Sequence, residues 1–434
     1  MNCIAPATVQ SIYPDSIAAP QAAYVHIPFC RRRCFYCDFP VSILGDRSQG
    51  DSSGTMREYV EVLCQEILAT PAAGLPLQTV FFGGGTPSLL SVRQLEQILG
   101  AIEQRFGLAT EAEISLEIDP DTFDRSQLQG YKAAGVNRVS LGVQSLDAQL
   151  LAACGRTHTP NDVYRAVETI RAVDMSHFSL DLISGLPHQS IEHWENSLQG
   201  VIAIAPPHLS VYDLVLEPVT AFGRWYRPGE APLPSDEATA EMYRLAQQAL
   251  TVAGYQHYEI SNYARPGHQC RHNRVYWENR AYYGFGMGAA SYVQQQRFTR
   301  PRKRREYFDW VKSYLASGGA IDCLPTPPDE QLLDTLMLGL RLAEGLTIKQ
   351  LIDCSDRATV QKILKVLQPY QQQGWVIRAR EENHALDGQG DRLSLSDPEG
   401  FLFSNVVLTA LFEQLSPENA TPVNRANSDL DLKV

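Results

Sequence analysis

The sequence contains no uninterrupted apolar segment of ~18 residues or more, the length that a membrane-spanning helix requires. The first twenty residues have neither the basic start nor the apolar core of a secretory signal peptide. Both absences lead us to expect a cytoplasmic protein. A basic excess is also missing, since 49 acidic residues against 37 basic ones give a net charge of −12. A general nucleic-acid binder needs the opposite balance, so no nucleic-acid partner is expected, despite the basic run RPRKRRE at 300–306.

The cysteines do not form a disulfide framework of the kind found in secreted proteins. There are nine of them, an odd number, unevenly spaced along 434 residues. Three are clustered at Cys30, Cys34 and Cys37 in HIPFCRRRCFYCDFP, and no fourth cysteine lies nearby. In a reducing compartment, clustered cysteines are more often metal ligands or redox groups than disulfides. Five others have no assigned role and are expected to be buried spacer residues: Cys3, Cys64, Cys154, Cys323 and Cys354.

Short β-rich runs alternate with helical patterns through most of the chain. Strands are predicted at 22–28, 79–84, 113–119, 138–144, 178–185 and 208–216. Helices are predicted at 56–69, 92–106, 126–135, 161–173, 191–204 and 236–252, and a seventh strand at 255–264. Alternation of this kind indicates a parallel sheet with right-handed crossovers. The six units predict an α/β fold with a partial (β/α)6-type barrel over residues 21–300.

The pattern changes after about Pro301, where helices dominate. Helices are predicted at 303–317, 328–342 and 356–372, short strands at 374–380 and 392–397, and a last helix from Glu399. Helices followed by a two-stranded wing resemble a winged-helix module, so a helical, winged-helix-like C-terminal domain is predicted for 301–415. A structural cap is favoured over DNA binding. Residues 1–20 are predicted to be a flexible N-terminus and residues 416–434 a disordered tail.

Three kinds of site would account for the clustered cysteines. A zinc site usually closes with four ligands, and the nearest fourth candidate, His26, falls in a buried strand pattern. A thioredoxin-like CxxC would use Cys34 and Cys37 but leave Cys30 unexplained. An iron–sulfur cube held by three thiolates leaves one iron free to accept a small molecule through nitrogen and oxygen atoms. The third interpretation explains all three thiols, and nearby arginines and backbone N–H groups would offset the negative charge of the cluster.

Glycines and polar residues mark the carboxyl ends of the predicted strands. The run FFGGGTPSLL at 81–90 closes the second strand, Glu117 ends the third and Gln144 the fourth, and Asp181 lies inside the fifth. Glycine lets a backbone approach a ligand closely. Because α/β barrels build their sites at the carboxyl ends of their strands, we expect a site at this mouth of the barrel.

The Cys-x3-Cys-x2-Cys spacing directly after a first strand resembles the radical S-adenosylmethionine superfamily. The segments YVHIPFC, FFGGGTP, LGVQS, GRTH and DLISGLP are similar, more specifically, to oxygen-independent coproporphyrinogen III oxidases and their relatives, the heme chaperones of the HemW type. The resemblance extends from about residue 22 to residue 415. It implies a radical S-adenosylmethionine core barrel in which Cys30, Cys34 and Cys37 bind a [4Fe–4S] cluster.

The resemblance also implies which residues line the S-adenosylmethionine site. They are Tyr24, Tyr36, Gly84, Gly85, Thr86, Glu117, Gln144, Arg156, Asp181, Val215 and Ala290. Arg156 suits the methionine carboxylate, because a guanidinium forks onto a carboxylate with two hydrogen bonds. The acids Glu117 and Asp181 suit ribose hydroxyls or the amine. In this superfamily an electron from the cluster breaks a carbon–sulfur bond of the cofactor, and whether that cleavage occurs in this protein is left open.

Two departures favour the chaperone branch over the oxidases. The oxidases carry a further cysteine two residues after the third one, where this sequence has Phe39. They also have a longer segment ahead of the cluster, whereas 29 residues precede Cys30 here. The chain is therefore expected to lack the oxidative decarboxylation of coproporphyrinogen III to protoporphyrinogen IX, which stays the alternative function.

The segment HNRVYW at 272–277 resembles the HNxxYW signature associated with heme binding in the chaperone branch. It implies heme contact by His272, Tyr276 and Trp277, with Cys270 as a second candidate iron ligand, and imidazole is a common axial ligand of heme iron. Four-residue spacing places His272 and Tyr276 on one helix face. An alternative is that His272 and Asn273 cap a helix while Tyr276 and Trp277 fill the core.

The resemblance therefore implies a chaperone that binds heme and passes it to recipient apoproteins, with the cluster and S-adenosylmethionine assisting or gating transfer. The implied partners are heme, an electron donor and heme-accepting apoproteins, among them membrane respiratory complexes. Whether the chain forms a weak dimer stays open. A third interpretation, a winged-helix regulator with an iron–sulfur sensor, does not explain the GGGTP run or the polar strand ends.

Overall fold

A computed structural model describes residues 19–45, 50–379 and 390–416. The predicted flexible N-terminus and disordered tail lie almost entirely outside the described residues, as do Cys3 and most of the polar loop between the last two predicted strands. Both terminal assignments therefore stay predictions.

The first part of the chain alternates strands and helices, as its hydrophobic pattern predicts. The strands are β1 (Ala22–Ile27), β2 (Phe29–Cys30), β3 (Ser42–Ile43), β4 (Leu77–Gly84), β5 (Leu108–Ile118), β6 (Arg138–Gln144), β7 (His177–Ser184), β8 (His208–Asp213), β9 (Gln256–Glu259), β10 (Asn262–Ala264), β11 (Tyr283–Phe285), β12 (Ala290–Val293) and β13 (Gln296–Thr299). The helices are α1 (Gly54–Ala69), α2 (Val92–Phe106), α3 (Arg125–Ala133), α4 (Ala148–Ala153), α5 (Pro160–Ala172), α6 (Ile191–Ile204), α7 (Ala221–Trp225), α8 (Asp236–Val252), α9 (Arg271–Trp277) and α10 (Arg304–Ala316).

One nine-stranded sheet forms the barrel, in the order β11-β1-β4-β5-β6-β7-β8-β10-β9. The six predicted strands, β1 and β4 to β8, are neighbours in sequence order and run parallel. Strand β11 joins the free edge of β1, also in parallel. The carboxyl ends of seven strands therefore meet at one mouth of an open barrel. The predicted α/β fold with a partial (β/α)6-type barrel is confirmed.

The predicted seventh strand at 255–264 is wrong in one respect, because the chain folds there into a hairpin. Strands β9 and β10 are antiparallel to each other, and β10 is antiparallel to β8. The Glu259 carboxylate accepts a hydrogen bond from the Ser261 amide at 3.1 Å, which stabilises the reversal between the two strands. Antiparallel strands can be joined by a tight turn, so no crossover helix is needed at this edge.

The helices follow from apolar stripes and side-chain caps. Helix α2 begins with a capping box, in which Ser91 and Gln94 each bond the backbone of the other. Its apolar residues Leu95, Ile98 and Ile102 are spaced three or four apart and are buried against the sheet.

A buried ion pair fixes the glycine turn that follows β11. Arg300 and Glu66, both almost fully buried, contact each other at 2.5 Å. The same carboxylate accepts hydrogen bonds from Tyr307 Oη at 2.6 Å and from the Gly286 amide at 2.9 Å. Arg300 is the first residue of the basic run 300–306, so this part of the run serves internal packing. The network ties α1, α10 and the turn at the mouth of the barrel together.

The C-terminal part forms a second hydrophobic core. Its elements are α11 (Pro328–Gly339), β14 (Leu346–Thr347), α12 (Ile348–Asp353), α13 (Arg357–Gln372), β15 (Val376–Ala379), β16 (Arg392–Leu395), α14 (Glu399–Leu402) and α15 (Ser404–Leu415). The three strands pair antiparallel in the order β14-β16-β15. This is the helix and strand order of a winged helix, and it adds β14 and α12 to the predicted elements. The domain limits at 300 and 415 stay predictions.

Polar contacts join the second core to the edge hairpin of the barrel. Arg244 of α8 binds Glu399 of α14 with two hydrogen bonds, of 2.6 and 3.0 Å. His257 of β9 contacts Asp397 at 2.8 Å. Among the described residues, no helix has the length and hydropathy needed to cross a bilayer.

Candidate functional site

The three clustered cysteines lie on one loop at the mouth of the barrel, between β1 and β3. The Cys37 amide donates to the Cys34 carbonyl at 3.3 Å, which closes a tight turn between these two residues. Burial raises the pKa of Cys37 to about 11 and also raises the pKa of Cys30. Charge repulsion from Cys34 adds to the raised pKa of both Cys30 and Cys37, so the three sulfur atoms lie near one another. Three thiolates can lie this close only beside a cationic group.

Hydrogen-bond donors surround the sulfur atoms. Arg156 Nη1 lies 3.5 Å from the Cys34 sulfur, and Thr86 Oγ1 lies 3.7 Å from the Cys30 sulfur. Arg33 fixes the loop itself by donating to the carbonyls of Cys37 at 3.2 Å and Phe39 at 3.0 Å. Donors of this kind stabilise negative charge on sulfur and tune the potential of an iron–sulfur cluster.

The number of thiols distinguishes two kinds of metal site. Within the described residues, no three His, Cys, Asp or Glu side chains converge closely enough to hold a single metal ion. A zinc ion requires its sulfur ligands at ~2.3 Å from one centre. A four-iron cube places each thiolate on a different iron, so it needs a wider triangle. Three thiolates without a fourth ligand therefore suit a cube with one open iron better than a structural zinc site, which usually closes with four ligands.

The glycine run after β4 packs tightly against the cysteine loop. The amides of Gly85 and Thr86 donate to the carbonyls of Ile27 at 2.9 Å and Phe29 at 2.7 Å. A Cβ atom at Gly85 would lie only 2.7 Å from the Phe29 carbonyl oxygen. Only glycine fits such an approach of two backbones. The run thus fixes the position of the loop over the strand ends.

Two buried carboxyl groups lie below the glycine run. Glu117 Oε2 accepts from the Gly84 amide at 2.9 Å, and burial nevertheless raises the pKa of Glu117 to about 8. Asp181 accepts from Ser140 at 2.8 Å and from Ser179 at 3.0 Å, and burial raises its pKa as well. Glu117 is therefore mostly neutral at pH 7 when no ligand is bound. A cationic or hydroxyl-bearing ligand would stabilise the charged forms of both acids.

Asp119 is a functional candidate that the sequence interpretation missed. It pairs with Arg156 and accepts a hydrogen bond from Thr86 Oγ1 at 3.3 Å. Arg156 Nη2 also donates to the Gly142 carbonyl at 2.9 Å. The guanidinium is therefore held between the cysteine loop and the ends of two strands. The signal was available, since Asp119 is the last residue of the predicted strand 113–119, two positions after Glu117.

The other predicted S-adenosylmethionine residues are distributed around this mouth. Tyr24 and Ala290 line the same cleft as Glu117. Gln144 ends β6 with a φ of 64°. Tyr36 packs against Phe222 with ring centroids 6.4 Å apart. Val215 lies farther out, on the loop after β8, with 62% of its surface exposed.

An open cleft adjoins the cofactor residues. Its walls carry the aromatic rings of Tyr24, Phe39, Phe81, Tyr276 and Tyr282. Several lining residues were not predicted: His26, Asp38, Pro40, Gly288, Ala289, Thr299 and Arg302. His26, Asp38 and Pro40 lie in the cysteine segment 26–40 and the others lie at 288–302, so the cleft forms where these two distant segments meet.

His26 is held inside the cleft wall, and both of its ring nitrogens are engaged there. Its Nδ1 lies 3.0 Å from Tyr24 Oη and its Nε2 lies 2.9 Å from the Pro40 carbonyl. Burial lowers its pKa to about 4, so the imidazole is neutral. The ring thus supports the wall and is not a fourth ligand beside the cysteines.

The HNRVYW segment forms helix α9, whose N-terminus is capped by the Glu113 carboxylate of β5. The amides of His272 and Arg271 donate to that carboxylate at 3.0 and 3.2 Å. Cys270, the residue before the helix, contacts the same carboxylate through sulfur at 3.6 Å. A negative group is favourable at a helix N-terminus. Asn273 Oδ1 lies 3.2 Å from the Cys270 sulfur, so it braces this end of the helix.

The three predicted heme-contact residues point to different places. His272 is fully buried, with Nδ1 2.8 Å from Thr79 Oγ1 and Nε2 2.9 Å from Tyr276 Oη. Tyr276 lines the open cleft. Trp277 packs against Leu338 and Leu342 of the C-terminal part. Of the three side chains, only that of Tyr276 reaches the cleft.

Comparisons with known proteins agree with this arrangement. Residues 24–200 match the Radical SAM superfamily, and residues 326–394 match the HemN C-terminal domain. The fold is similar to that of the radical SAM coproporphyrinogen III oxidase HemN from Escherichia coli, with a TM-score of 0.75 and 23% identity, covering 91% of this chain and 90% of that one. Fold and site together define a radical S-adenosylmethionine protein, a class whose cofactors are a [4Fe–4S] cluster and S-adenosylmethionine.

The sequence places the chain more narrowly. It is 49% identical to the heme chaperone HemW of Synechocystis over 92% of this chain and 98% of that protein. It is 35% identical to the heme chaperone HemW of Bacillus subtilis, over 86% and 97% of the two chains. It is 36% identical to the mouse mitochondrial radical S-adenosyl methionine domain-containing protein 1, over 77% and 76%. The chain belongs to the HemW family of heme chaperones, which confirms the predicted family.

Proposed function

We propose that this protein binds heme and passes it to acceptor proteins, with a [4Fe–4S] cluster and S-adenosylmethionine bound at the mouth of its barrel. The observation that carries the proposal is the aromatic cleft, which adjoins the cofactor residues and contains Tyr276 of the HNRVYW segment. Relatives named as heme chaperones match nearly the whole chain, which supports the same conclusion.

Each part of the mouth has a role in this proposal. Cys30, Cys34 and Cys37 hold the cluster, which when bound supplies an electron and one iron open to S-adenosylmethionine. Gly84 and Gly85 let the backbone approach the methionine end of that cofactor. Arg156 binds its carboxylate, and in doing so exchanges part of its contact with Asp119 for the ligand.

The remaining predicted residues surround the nucleoside end of the cofactor. Glu117 and Asp181 accept hydrogen bonds from ribose hydroxyls when charged and donate when protonated. Tyr24 and Ala290 form the wall shared with the cleft. The other assigned positions are Tyr36, Thr86, Gln144 and Val215.

The partners follow from the same proposal. Heme is the cargo, and the recipients are apoproteins with their own heme pocket, among them membrane respiratory complexes. A cluster that changes oxidation state needs an electron donor. No nucleic-acid partner is proposed, and a weak dimer is left to measurement.

The experiment is an anaerobic heme titration of the cluster-reconstituted protein, followed by transfer to a heme-free acceptor such as an apo-cytochrome. We expect saturable, stoichiometric binding and a shift of the heme absorption spectrum to that of the loaded acceptor. Cys34→Ser, titrated in parallel, separates heme binding from the cluster. Absence of saturable binding to the wild type would overturn the proposal.

The oxidase activity is measured in the same preparation. Coproporphyrinogen III, S-adenosylmethionine and reductant are incubated with the protein, and vinyl-bearing product is sought by chromatography. We expect none above the level of the Cys34→Ser control. Catalytic formation of protoporphyrinogen IX would replace the chaperone proposal with the oxidase.

A further inference from the structure

A line of hydrogen bonds crosses the barrel and ends at Asp181, one of the two buried acids below the glycine run. The Cys270 amide donates to Tyr258 Oη at 3.4 Å, and Tyr258 Oη lies 2.9 Å from His208 Nε2. His208 Nδ1 lies 2.8 Å from Ser179 Oγ, which donates to Asp181 Oδ1 at 3.0 Å. The line runs from β9 through the first residue of β8 to β7. Its middle members have no place in the predicted site.

The imidazole of His208 is neutral and cannot turn freely. Strands β7 and β8 pair in parallel with Ser179 directly opposite His208. His208 is 1% exposed, and burial lowers its pKa well below its usual range, with the charge of Arg138 acting in the same direction. The ring therefore carries a single N–H at pH 7.

One tautomer of His208 satisfies the whole line. The Ser179 hydroxyl has one hydrogen, which it donates to Asp181, so its oxygen accepts from the His208 Nδ1–H. Nε2 is then unprotonated and accepts from the Tyr258 hydroxyl, whose oxygen accepts from the Cys270 amide. Every donor in the line thus points towards Asp181.

Asp181 lines a polar chamber inside the barrel that shares a wall with the cofactor mouth. Glu117 lines both the chamber and the open cleft. Four neighbouring strands each contribute one serine to the chamber: Ser115, Ser140, Ser179 and Ser210. Ser140 and Ser179 donate to the Asp181 carboxylate at 2.8 and 3.0 Å. Donors on this side leave the remaining lone pairs of the carboxylate as acceptors for a ligand hydroxyl.

We propose that His208 is a positioning residue for the nucleoside end of S-adenosylmethionine. It holds the Ser179 hydroxyl with its hydrogen on Asp181, and Tyr258 holds His208 in the tautomer that does so. The inference rests on the proposed function, since it takes Asp181 as a residue of the nucleoside site. Loss of the imidazole lets Ser179 turn its hydrogen away, and Asp181 then loses a donor that stabilises its charged form. A carboxylate oriented by a fixed set of hydrogen bonds is preorganised for its ligand.

The two ring nitrogens can be replaced separately. An asparagine amide at position 208 lies near the place of Nδ1, so His208→Asn keeps a donor to Ser179. A glutamine amide lies near the place of Nε2, so His208→Gln keeps only the partner of Tyr258. Positioning through Ser179 therefore predicts rescue by asparagine and not by glutamine. Lost packing alone predicts no such difference.

The test is anaerobic calorimetric titration of the cluster-loaded, full-length protein with S-adenosylmethionine and with methylthioadenosine, which lacks the methionine end. We expect His208→Ala and His208→Gln to raise Kd for both ligands about three- to tenfold, and His208→Asn to stay within about twofold of the wild type. His257→Asn is the matched control, because this buried imidazole faces Asp397 of the C-terminal part and should keep the wild-type Kd. Iron content and circular dichroism show that each variant is folded.

Electron paramagnetic resonance reports on the other end of the cofactor. At saturating S-adenosylmethionine, the spectrum of the reduced cluster should be the same in the wild type and in the His208 variants, because the methionine end is bound elsewhere. An altered spectrum in His208→Ala would show that the substitution disturbs the whole mouth, and it would overturn a role confined to the nucleoside end.

A double substitution decides whether His208 acts through Ser179. We expect Ser179→Ala to weaken binding about as much as His208→Ala, and the double variant to bind no more weakly than Ser179→Ala alone. Additive losses would overturn the inference. So would an unchanged Kd in His208→Ala when Asp181→Ala weakens binding, and the proposed cofactor site would then stand. If the wild type itself binds no S-adenosylmethionine, both fail.

Discussion

The cysteine loop and the HNRVYW helix are both short motifs, yet the fold uses them differently. On the loop, the backbone bends so that three thiols spaced four and three residues apart lie near one another. On helix α9, the rigid backbone sends three side chains to the core, the cleft and the C-terminal part. A loop can bring its residues to one ligand, whereas a helix distributes them at ~100° per residue. Adjacent motif residues on a helix therefore need not share a role.

The largest expected effect is the loss of the iron–sulfur cluster, which tests whether the three thiols of the loop bind one ligand together. Cys34→Ala removes one of three cluster ligands, so we expect a near-complete loss of reconstituted iron and of the cluster absorption. Cys323→Ser is the control. The Cys323 thiol contacts the Arg297 carbonyl of β13 and is not one of the three clustered cysteines, so this variant should keep full iron content. Iron and sulfide assays after anaerobic reconstitution measure both. A wild-type iron content in Cys34→Ala would remove this residue from the site.

The next effect tests the separation of roles on the helix. Trp277→Ala opens a cavity between α9 and the C-terminal core, so we expect the free energy of unfolding to fall by about 3–5 kcal/mol, as for other buried tryptophans. Because Trp277 faces away from the cleft, the heme spectrum of the folded fraction should not change. Chemical denaturation measures the free energy of unfolding, and heme titration checks that the spectrum is unchanged. A changed spectrum with unchanged stability would place Trp277 in the heme site.

A smaller effect on stability is expected where the glycine run packs against the cysteine loop. Gly85→Ala puts a Cβ 2.7 Å from the Phe29 carbonyl oxygen, so we expect a destabilisation of about 1–3 kcal/mol and weaker cluster retention. Gly100→Ala is a matched control, because this exposed glycine of α2 has open space around it. That substitution should stabilise the protein by about 0.5–1 kcal/mol. Equal effects of the two substitutions would show that the loop tolerates a side chain.

The smallest effect concerns the acid below the loop. The folded-state pKa of Glu117 is about 8, above its value of ~4.3 in an unfolded chain, so the folded state holds an extra proton between these values. Its contribution to stability is therefore full below pH ~4.3 and is lost as pH rises towards 8, by at most ~1.4 kcal/mol per pH unit. Glu117→Gln should flatten this part of the profile of the cofactor-free protein. An unchanged slope in urea denaturation between pH 5 and 8 would contradict the pKa.

Much of the fold follows from local pattern. The six parallel strands were predicted from period-two and apolar runs bounded by turns, and α2 and α6 from their apolar stripes, because these signals arise from burial on one face of each element. The hairpin at β9 and β10 was missed, because a run of ten β-favouring residues does not state where it reverses. Short elements such as β14 and α12 were missed for a related reason, since their stability comes from packing against distant residues.

The candidate site divides in the same way. The cysteines, the glycine run and Glu117 were predicted because each stands at or near a strand end, where the sequence itself gives the direction of the chain, whereas Asp181 lies inside β7 and its role was implied by the family resemblance. His26 and Arg302 were not predicted, because they meet only when β1 and the segment after β13 close around the cleft. Asp119 falls between these two cases. Its place at a strand end could be predicted from the sequence, but its pairing with Arg156, 37 positions away, could not.

By itself, the sequence determined the order of strands and helices, the three-thiol loop and the family, because these depend on spacing and on short-range chemistry. Only the tertiary structure decided which side chain of HNRVYW reaches open space. That outcome depends on what packs against each face of α9: Thr79 and Phe81 of β4 cover His272, and Leu338 and Leu342 cover Trp277. Burial is set by neighbours that are remote in the chain, so the same six residues would expose a different side chain in another fold.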